Sequence, residues 1–283
     1  MGEVILEARG LSKFYGGLGA VRDLSFEVVR GEIFEIAGPN GAGKTTLFDV
    51  ISGHAPATDG AVLFEGRQVE RLAPHAVCQA GIARTFQIPA VFPRQTVLAN
   101  AVVGAEFGRR PRMLSSLGFD ATVIAAAREA LAFVGLDDVE GEPAGRLSIF
   151  DTKRLMIASA LATQPTVMLF DEPVGGLNPR ERQATMDLIR RVREGGITIL
   201  LIEHVMAALM ALSDRVMIMN HGEKLYEGSP ADVASDADVV RVYLGTERIE
   251  TARGAGPELS TAAIATGRDD GQVPDSATTG SAR

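Results

Sequence analysis

"IFEIAGPNGAGKTTLFDVISG", Ile33 to Gly53, decides the fold. An apolar strand runs into a glycine-rich turn, and a helix opens at Thr45 and ends at Gly53, which is the setting a phosphate-binding loop needs. Gly38, Pro39, Asn40, Gly41, Ala42 and Gly43 form a turn whose backbone N–H groups can close around a β-phosphate. The helix N-terminus behind them adds a favourable dipole. Lys44 can reach the β- and γ-phosphates, the Thr45 hydroxyl can ligate Mg²⁺, and Thr46 completes the motif. A chance glycine-rich turn leaves the flanking strand and helix unexplained.

Working outward, "VMLFDEP" (Val167–Pro173) supplies the second half of such a site. Four apolar residues make a buried strand with Asp171 at its carboxyl end, where α/β sheets place ligands. Asp171 is placed to hold Mg²⁺, directly or through water, and Glu172 to polarise an attacking water as a general base. An isolated Asp-Glu pair is usually a solvated strand end; beside a phosphate loop it reads as hydrolytic machinery. Together the two motifs make the chain a P-loop NTPase without fixing its kind.

The remaining pattern gives the architecture. Residues 1–36 read as short strands, with Leu24, Phe26 and Val28 of "DLSFEVV" on one face, and "GAVLFEGRQV" as another hairpin. From about 89 to 164 the sequence is helical and Ala-rich. Strand, helix and strand follow in "TVMLFDEP", "PRERQATMDLIRRVREGG" and "ITILLIEH", and "RVMIMNHGEKLYEGSP" closes as a hairpin turning at Asn220 and Gly222. The expected fold is α/β: a RecA-like parallel sheet core, an N-terminal antiparallel β subdomain, and an inserted α-helical subdomain over about 89–164. The ATP-binding domain spans 1–248; residues 249–283, rich in Gly, Ala, Ser and Thr, read as a disordered tail.

Composition narrows the function. The 283 residues are 46% hydrophobic with a formal charge of −8, which argues against a nucleic-acid partner. Cys78 is the single cysteine, so no internal disulfide forms and a reducing compartment is expected. The N-terminus lacks the pattern of a signal peptide. The most apolar run, "ITILLIEHVMAALMAL", is interrupted by Glu203 and His204 and falls short of a spanning helix.

The order of the smaller motifs carries a resemblance. Gln87 in "ARTFQ" lies between the two main motifs, "LS" at Leu147 leads the helix before the acidic strand, "GGLNP" follows it, and His204 ends the next strand. Over roughly residues 4–245 this resembles the ATP-binding subunits of ABC transporters. "FYGGLGAV", "GIARTFQ", "DEPVGGLNP" and the "YLG" at Tyr243 look, more finely, like the larger ATP-binding subunit of the branched-chain amino acid group. Relatives that move urea, amides or other hydrophobic solutes share much of that pattern.

The resemblance implies roles and partners. Tyr15 matches the aromatic that stacks on adenine, Gln87 the residue that senses Mg²⁺ and the attacking water, and His204 the switch histidine on the γ-phosphate. Gly176, Leu177 and Asn178 match the loop that couples two sites of a dimer. As plain alternatives, Tyr15 is a surface aromatic at a turn, Gln87 a polar loop residue and His204 a strand-end histidine. The implied partners are a second homologous ATP-binding subunit (a heterodimer, with a homodimer as the alternative), two transmembrane permeases docked near Gln87 to Pro93, and, indirectly, a secreted solute-binding protein. The implied place is peripheral, on the cytoplasmic side of the inner membrane. ATP and Mg²⁺ are the implied cofactors. A non-transport ABC ATPase predicts a coiled-coil insertion, a second cassette or a basic face, and a GTPase predicts a guanine-reading Asn-Lys-x-Asp; the sequence has none of these.

One motif departs from the family. Its signature reads Leu-Ser-Gly-Gly-Gln; here it is Leu147-Ser148-Ile149-Phe150-Asp151. Ser148 and Asp151 also make a capping-box-like pair that starts a helix without any nucleotide. In the family the serine reaches a partner's γ-phosphate, so the Phe150 ring and the Asp151 charge point to an asymmetric heterodimer. Lys153 and Arg154 read either as compensating cations or as a solvated face.

Overall fold

The structure, a computed structural model, describes residues 2–108, 120–204 and 206–236. In chain order the elements are β1 (Val4–Tyr15), β2 (Leu18–Val29), β3 (Ile33–Ala37), α1 (Lys44–Ile51), β4 (Asp59–Phe64), β5 (Arg67–Gln68), α2 (Pro74–Ala80), β6 (Ile82–Thr85), α3 (Val97–Phe107), α4 (Ala121–Val134), α5 (Ile149–Leu161), β7 (Val167–Asp171), α6 (Pro179–Glu194), β8 (Thr198–Ile202), α7 (Met206–Leu212), β9 (Arg215–Asn220), β10 (Glu223–Gly228) and α8 (Pro230–Ser235). The helix starts are written in short-range chemistry. Thr96 and Asp120 accept from Ala99 and Thr122 N–H groups, and Asn178 with Glu181 forms a full capping box at α6.

Two sheets form. An antiparallel one runs β2-β1-β4-β5, and a six-stranded one runs β10-β9-β3-β8-β7-β6. In the second, β9, β3, β8, β7 and β6 pair in parallel, and β10 adds an antiparallel edge. Every residue of β7 and β8 is buried, the mark of a parallel strand covered on both faces. Period-two alternation divides them between two cores. Met168, Phe170, Ile199 and Leu201 pack with Leu131, Leu155 and Ile189 of the helices. Val167, Leu169, Leu200 and Ile202 pack with Phe48 and Ile51 of α1 and with Leu6, Leu11 and Phe26 of the antiparallel sheet.

The fold is the expected α/β core with its antiparallel β layer and helical insertion. Two local features differ from the sequence reading. The short N-terminal strands are two twelve-residue strands, because pairing runs on through register shifts near Gly10 (φ 55°) and Asp23 (φ 44°) that break the alternation. Residues 70–88, unassigned from the sequence apart from the Gln87 motif, hold α2 and β6; β6 has only four residues, one of them Arg84, too few to display a period. "YLG" at Tyr243 and the tail at 249–283 lie outside the described residues.

Candidate functional site

Four adjacent parallel strands bring the predicted residues to one sheet edge. Thr85 pairs with Phe170, Asp171 with Ile202, and Ile36 with Ile202, so β6, β7, β8 and β3 end together. Gln87, Glu172, His204 and the phosphate loop each follow one of those ends.

The loop is shaped by its glycines. A Cβ on Gly38 would sit 2.1 Å from the Met219 carbonyl oxygen, and one on Gly43 would sit 2.0 Å from that of Ala20. These contacts pack the back of the loop against β9 and β2. Gly222 N–H donates to the Ala42 carbonyl at 2.9 Å, and Arg22 N–H to that of Gly222 at 2.8 Å, fastening the β9–β10 turn to the same loop. Gly41 (φ 81°) would meet nothing within 4 Å on its open side. A cavity of about 350 Å³ lies there, lined by Tyr15, Leu18, Gly41, Thr45, Thr46 and His221. Tyr15 is half exposed, with the Lys13 ammonium 4.9 Å from its ring centre. Lys44 is buried and donates to the carbonyls of Gly38 (2.7 Å) and Pro39 (3.1 Å). Burial lowers its pKa, against the opposing pull of Glu172 and Asp171.

The acidic end is held as tightly. Asp171 is buried, and its Oδ2 accepts from Arg84 at 2.9 Å. Burial raises its pKa, and the Arg84 hydrogen bond opposes that rise. Glu172 follows with φ 49°, a left-handed conformation unusual for a side-chain-bearing residue, and its N–H donates to the Ile202 carbonyl at 2.9 Å. Gln87 Nε2 donates to Glu172 Oε2 at 2.6 Å, and His204 Nδ1 lies 3.8 Å from Oε1. Lys153 Nζ donates to the Glu172 carbonyl at 3.0 Å. Fully buried Glu203 accepts from Val174 N–H (2.9 Å) and from its neighbour His204 N–H (3.2 Å), tying the loop after Glu172 to the loop after β8.

Such a site has the parts for phosphoryl chemistry: a cradle of N–H groups, a buried ammonium, an acid pair and two polar residues converging on the second acid. A family model described as ABC transporter matches residues 21–175, across the phosphate loop and the acidic strand. The chain belongs to the ABC transporter family. It is 36% identical over 253 residues to the high-affinity branched-chain amino acid transport ATP-binding protein LivG of Escherichia coli, covering 87% of this chain and 99% of that protein. It is 34% identical to the corresponding protein BraF of Pseudomonas aeruginosa, at the same coverage. A solved ATP-binding cassette of an ABC transporter in its ADP conformation is 30% identical, with a TM-score of 0.78 over 86% of this chain and 99% of that one. The chain is thus an ABC ATPase subunit that binds nucleotide.

In this ABC cassette Ser148 is the N-cap of α5. Its hydroxyl donates to Asp151 Oδ2 at 2.8 Å and accepts from Asp151 N–H at 3.0 Å, so the cap reading holds. Neither following cation forms a solvated face. Lys153 is the half-buried contact to Glu172. Arg154 binds Asp151 Oδ1 at 2.8 Å, hydrogen-bonds the carbonyls of Val134 and Gly135, and lies over the Phe150 ring.

Arg84, Lys153 and Glu203 are the site residues that the sequence reading did not place there. "ARTFQ" and "IEH" display two of them beside predicted residues, but only the sheet order brings Arg84 to Asp171 and Glu203 to the loop at Val174. Next to the site, a groove of about 270 Å³ is lined by His54, Cys78, Arg84, Phe86, Met156 and Thr163 among others. The exposed Ile88 and Phe92 follow Phe86 in the sequence. Among the described residues no helix is long and apolar enough to cross a membrane.

Proposed function

We propose that this cassette hydrolyses Mg·ATP to drive an importer of branched-chain amino acids. The observation that carries the reading is the bond from Gln87 to Glu172 at the shared strand edge, beside Lys44, in a chain that covers 99% of named branched-chain amino acid transport relatives. Lys44 and the backbone from Gly38 to Gly43 hold the phosphates, with Thr46 at the start of α1. Tyr15 stacks on the adenine. Thr45, Gln87 and Asp171 offer hard oxygen ligands, the donor type Mg²⁺ takes. That ion, when bound, neutralises phosphate charge. Glu172 takes the proton of the attacking water, and His204 orients the γ-phosphate.

The partners in this reading are a second ATP-binding subunit and two permeases, with the apolar surface at Phe86, Ile88 and Phe92 as the permease contact. That places the chain peripherally on the cytoplasmic face of the inner membrane. Reconstituted with its permeases and binding protein, the chain is expected to support ATP-dependent uptake of labelled leucine, isoleucine or valine. Uptake of urea or amides instead would overturn the cargo assignment.

The signature favours a heterodimer with unequal sites. Ser148 spends its hydroxyl proton on Asp151, and Asp151 brings negative charge towards the position of a partner-bound γ-phosphate. Arg154 offsets that charge in part. Asp151→Gln removes that charge, and the ATPase of the site that uses this turn should rise by roughly 5-fold, the worth of about 1 kcal/mol for one well-solvated like-charge contact. Unchanged turnover at that site would remove the electrostatic argument.

A further inference from the structure

Arg84 is buried at the site with a role that neither the phosphate loop nor the hydrolytic residues explain. Its side chain is 5% exposed. One terminal nitrogen donates to Asp49 Oδ1 (2.7 Å) and Ser52 Oγ (3.1 Å) of the α1 segment, and the other to Asp171 Oδ2 (2.9 Å). The guanidinium carbon lies 5.6 Å from the Phe48 ring centre and 5.0 Å from that of Phe86, the residue before Gln87. The same side chain lines the groove beside the site.

We propose that Arg84 is a positioning residue that locks Asp171 to α1, fixing its place relative to Thr45, and passes displacement of the groove wall to that carboxylate. A guanidinium is a planar fork and can hold carboxylates from two elements in one fixed geometry. Here the two are the strand that ends in Asp171 and the helix whose first turn carries Lys44 and Thr45. Stability alone is a poor reason for the arrangement, since a buried ion pair gains little over apolar packing of the same volume. The Phe86 contact gives Arg84 a second input: a shift of the segment from Phe86 to Gln87 presses on the guanidinium before it reaches Asp171.

The inference rests on the Mg·ATP reading, and the wild type tests that reading separately. Full-length wild type, Arg84→Lys and Asp49→Asn are compared in four measurements: ATP binding in EDTA, the EPR spectrum of Mn²⁺ in the ATP complex, the Mg²⁺ concentration for half-maximal hydrolysis, and melting of the protein. Arg84→Lys should bind ATP in EDTA as the wild type does, while its Mn²⁺ spectrum changes and its Mg²⁺ requirement rises by roughly 10- to 100-fold, the usual effect of losing an outer-shell partner. Asp49→Asn should move the same readouts less. An unchanged Mg²⁺ requirement in Arg84→Lys overturns the inference. So does an affinity in EDTA that falls together with the melting temperature, since that marks a purely structural pair. If Arg84→Lys does not fold, Asp49→Asn decides by the same criteria. A wild type whose hydrolysis needs no divalent ion overturns the metal reading and this inference with it.

Discussion

Glu172→Gln is expected to stop hydrolysis while leaving ATP bound, with turnover at its own site falling by roughly 10²- to 10⁴-fold, the contribution of a positioned general base. The substitution keeps the length and shape of the side chain, so the amide still meets Gln87, which now donates to Glu172 Oε2 at 2.6 Å. The backbone is held independently by the Ile202 carbonyl and by Lys153, so the loop should not rearrange. What disappears is an oxygen able to take a proton from water. ATP affinity, which the proposed site assigns to Lys44 and the glycine loop, should hold. Phosphate release and equilibrium binding of labelled ATP measure the two halves. A loss of turnover under about tenfold would mean that another group accepts the proton. In the proposed heterodimer the same change should remove most of the ATPase, and the equivalent change in the partner should remove little. Equal losses would sink the proposed asymmetry.

Glu35→Gln is the second large effect, and it concerns stability. Glu35 lies in β3 between β8 and β9, with no exposed surface, and accepts a hydrogen bond from the Ser213 hydroxyl. Burial pushes its pKa up to about 8; the Ser213 bond opposes the shift and the Glu203 charge adds to it. The folded chain therefore keeps the proton after the unfolded chain, with its ordinary value of 4.5, has released it. The stability due to this group is fully present below pH 4.5 and is lost as pH rises through about 8. The loss is about 1.4 kcal/mol per pH unit, or roughly 5 kcal/mol across the window. Glutamine is neutral throughout, so the variant should lack this slope and be the more stable protein above pH 8. Urea unfolding of both proteins at pH 5 to 9 reads the difference directly. Parallel stability profiles would show that Glu35 ionises as easily folded as unfolded.

How much could be read in advance follows from the range of each interaction. The phosphate loop, the acidic strand and the Ser148 cap are local patterns, complete within a few residues, and they were legible. So was the parallel core, because β7 and β8 are continuous apolar runs. Arg84 was visible as a letter in "ARTFQ", but its meaning depends on Asp171, 87 positions away, and on a four-residue strand too short to announce itself. Glu35 was likewise visible as a charge in an apolar strand, while its partner Ser213 lies 178 positions on. Ser148 was ambiguous for a different reason. A helix cap and a phosphate donor use the same hydroxyl, and only the geometry of Asp151 assigns it to the cap.

The fastening of the phosphate loop bears on how the protein is made. Residues 38–46 are made long before Met219 and Gly222, which with Ala20 form the surface behind them. Domains generally form as units during synthesis, at about 5–20 residues per second. A nascent chain therefore carries Lys44, Asp171, Glu172 and His204 for seconds before the backing that shapes the loop exists. Fragments that end before Met219 hold every motif yet lack the β9 half of the support, and are expected to bind nucleotide more weakly than the full cassette.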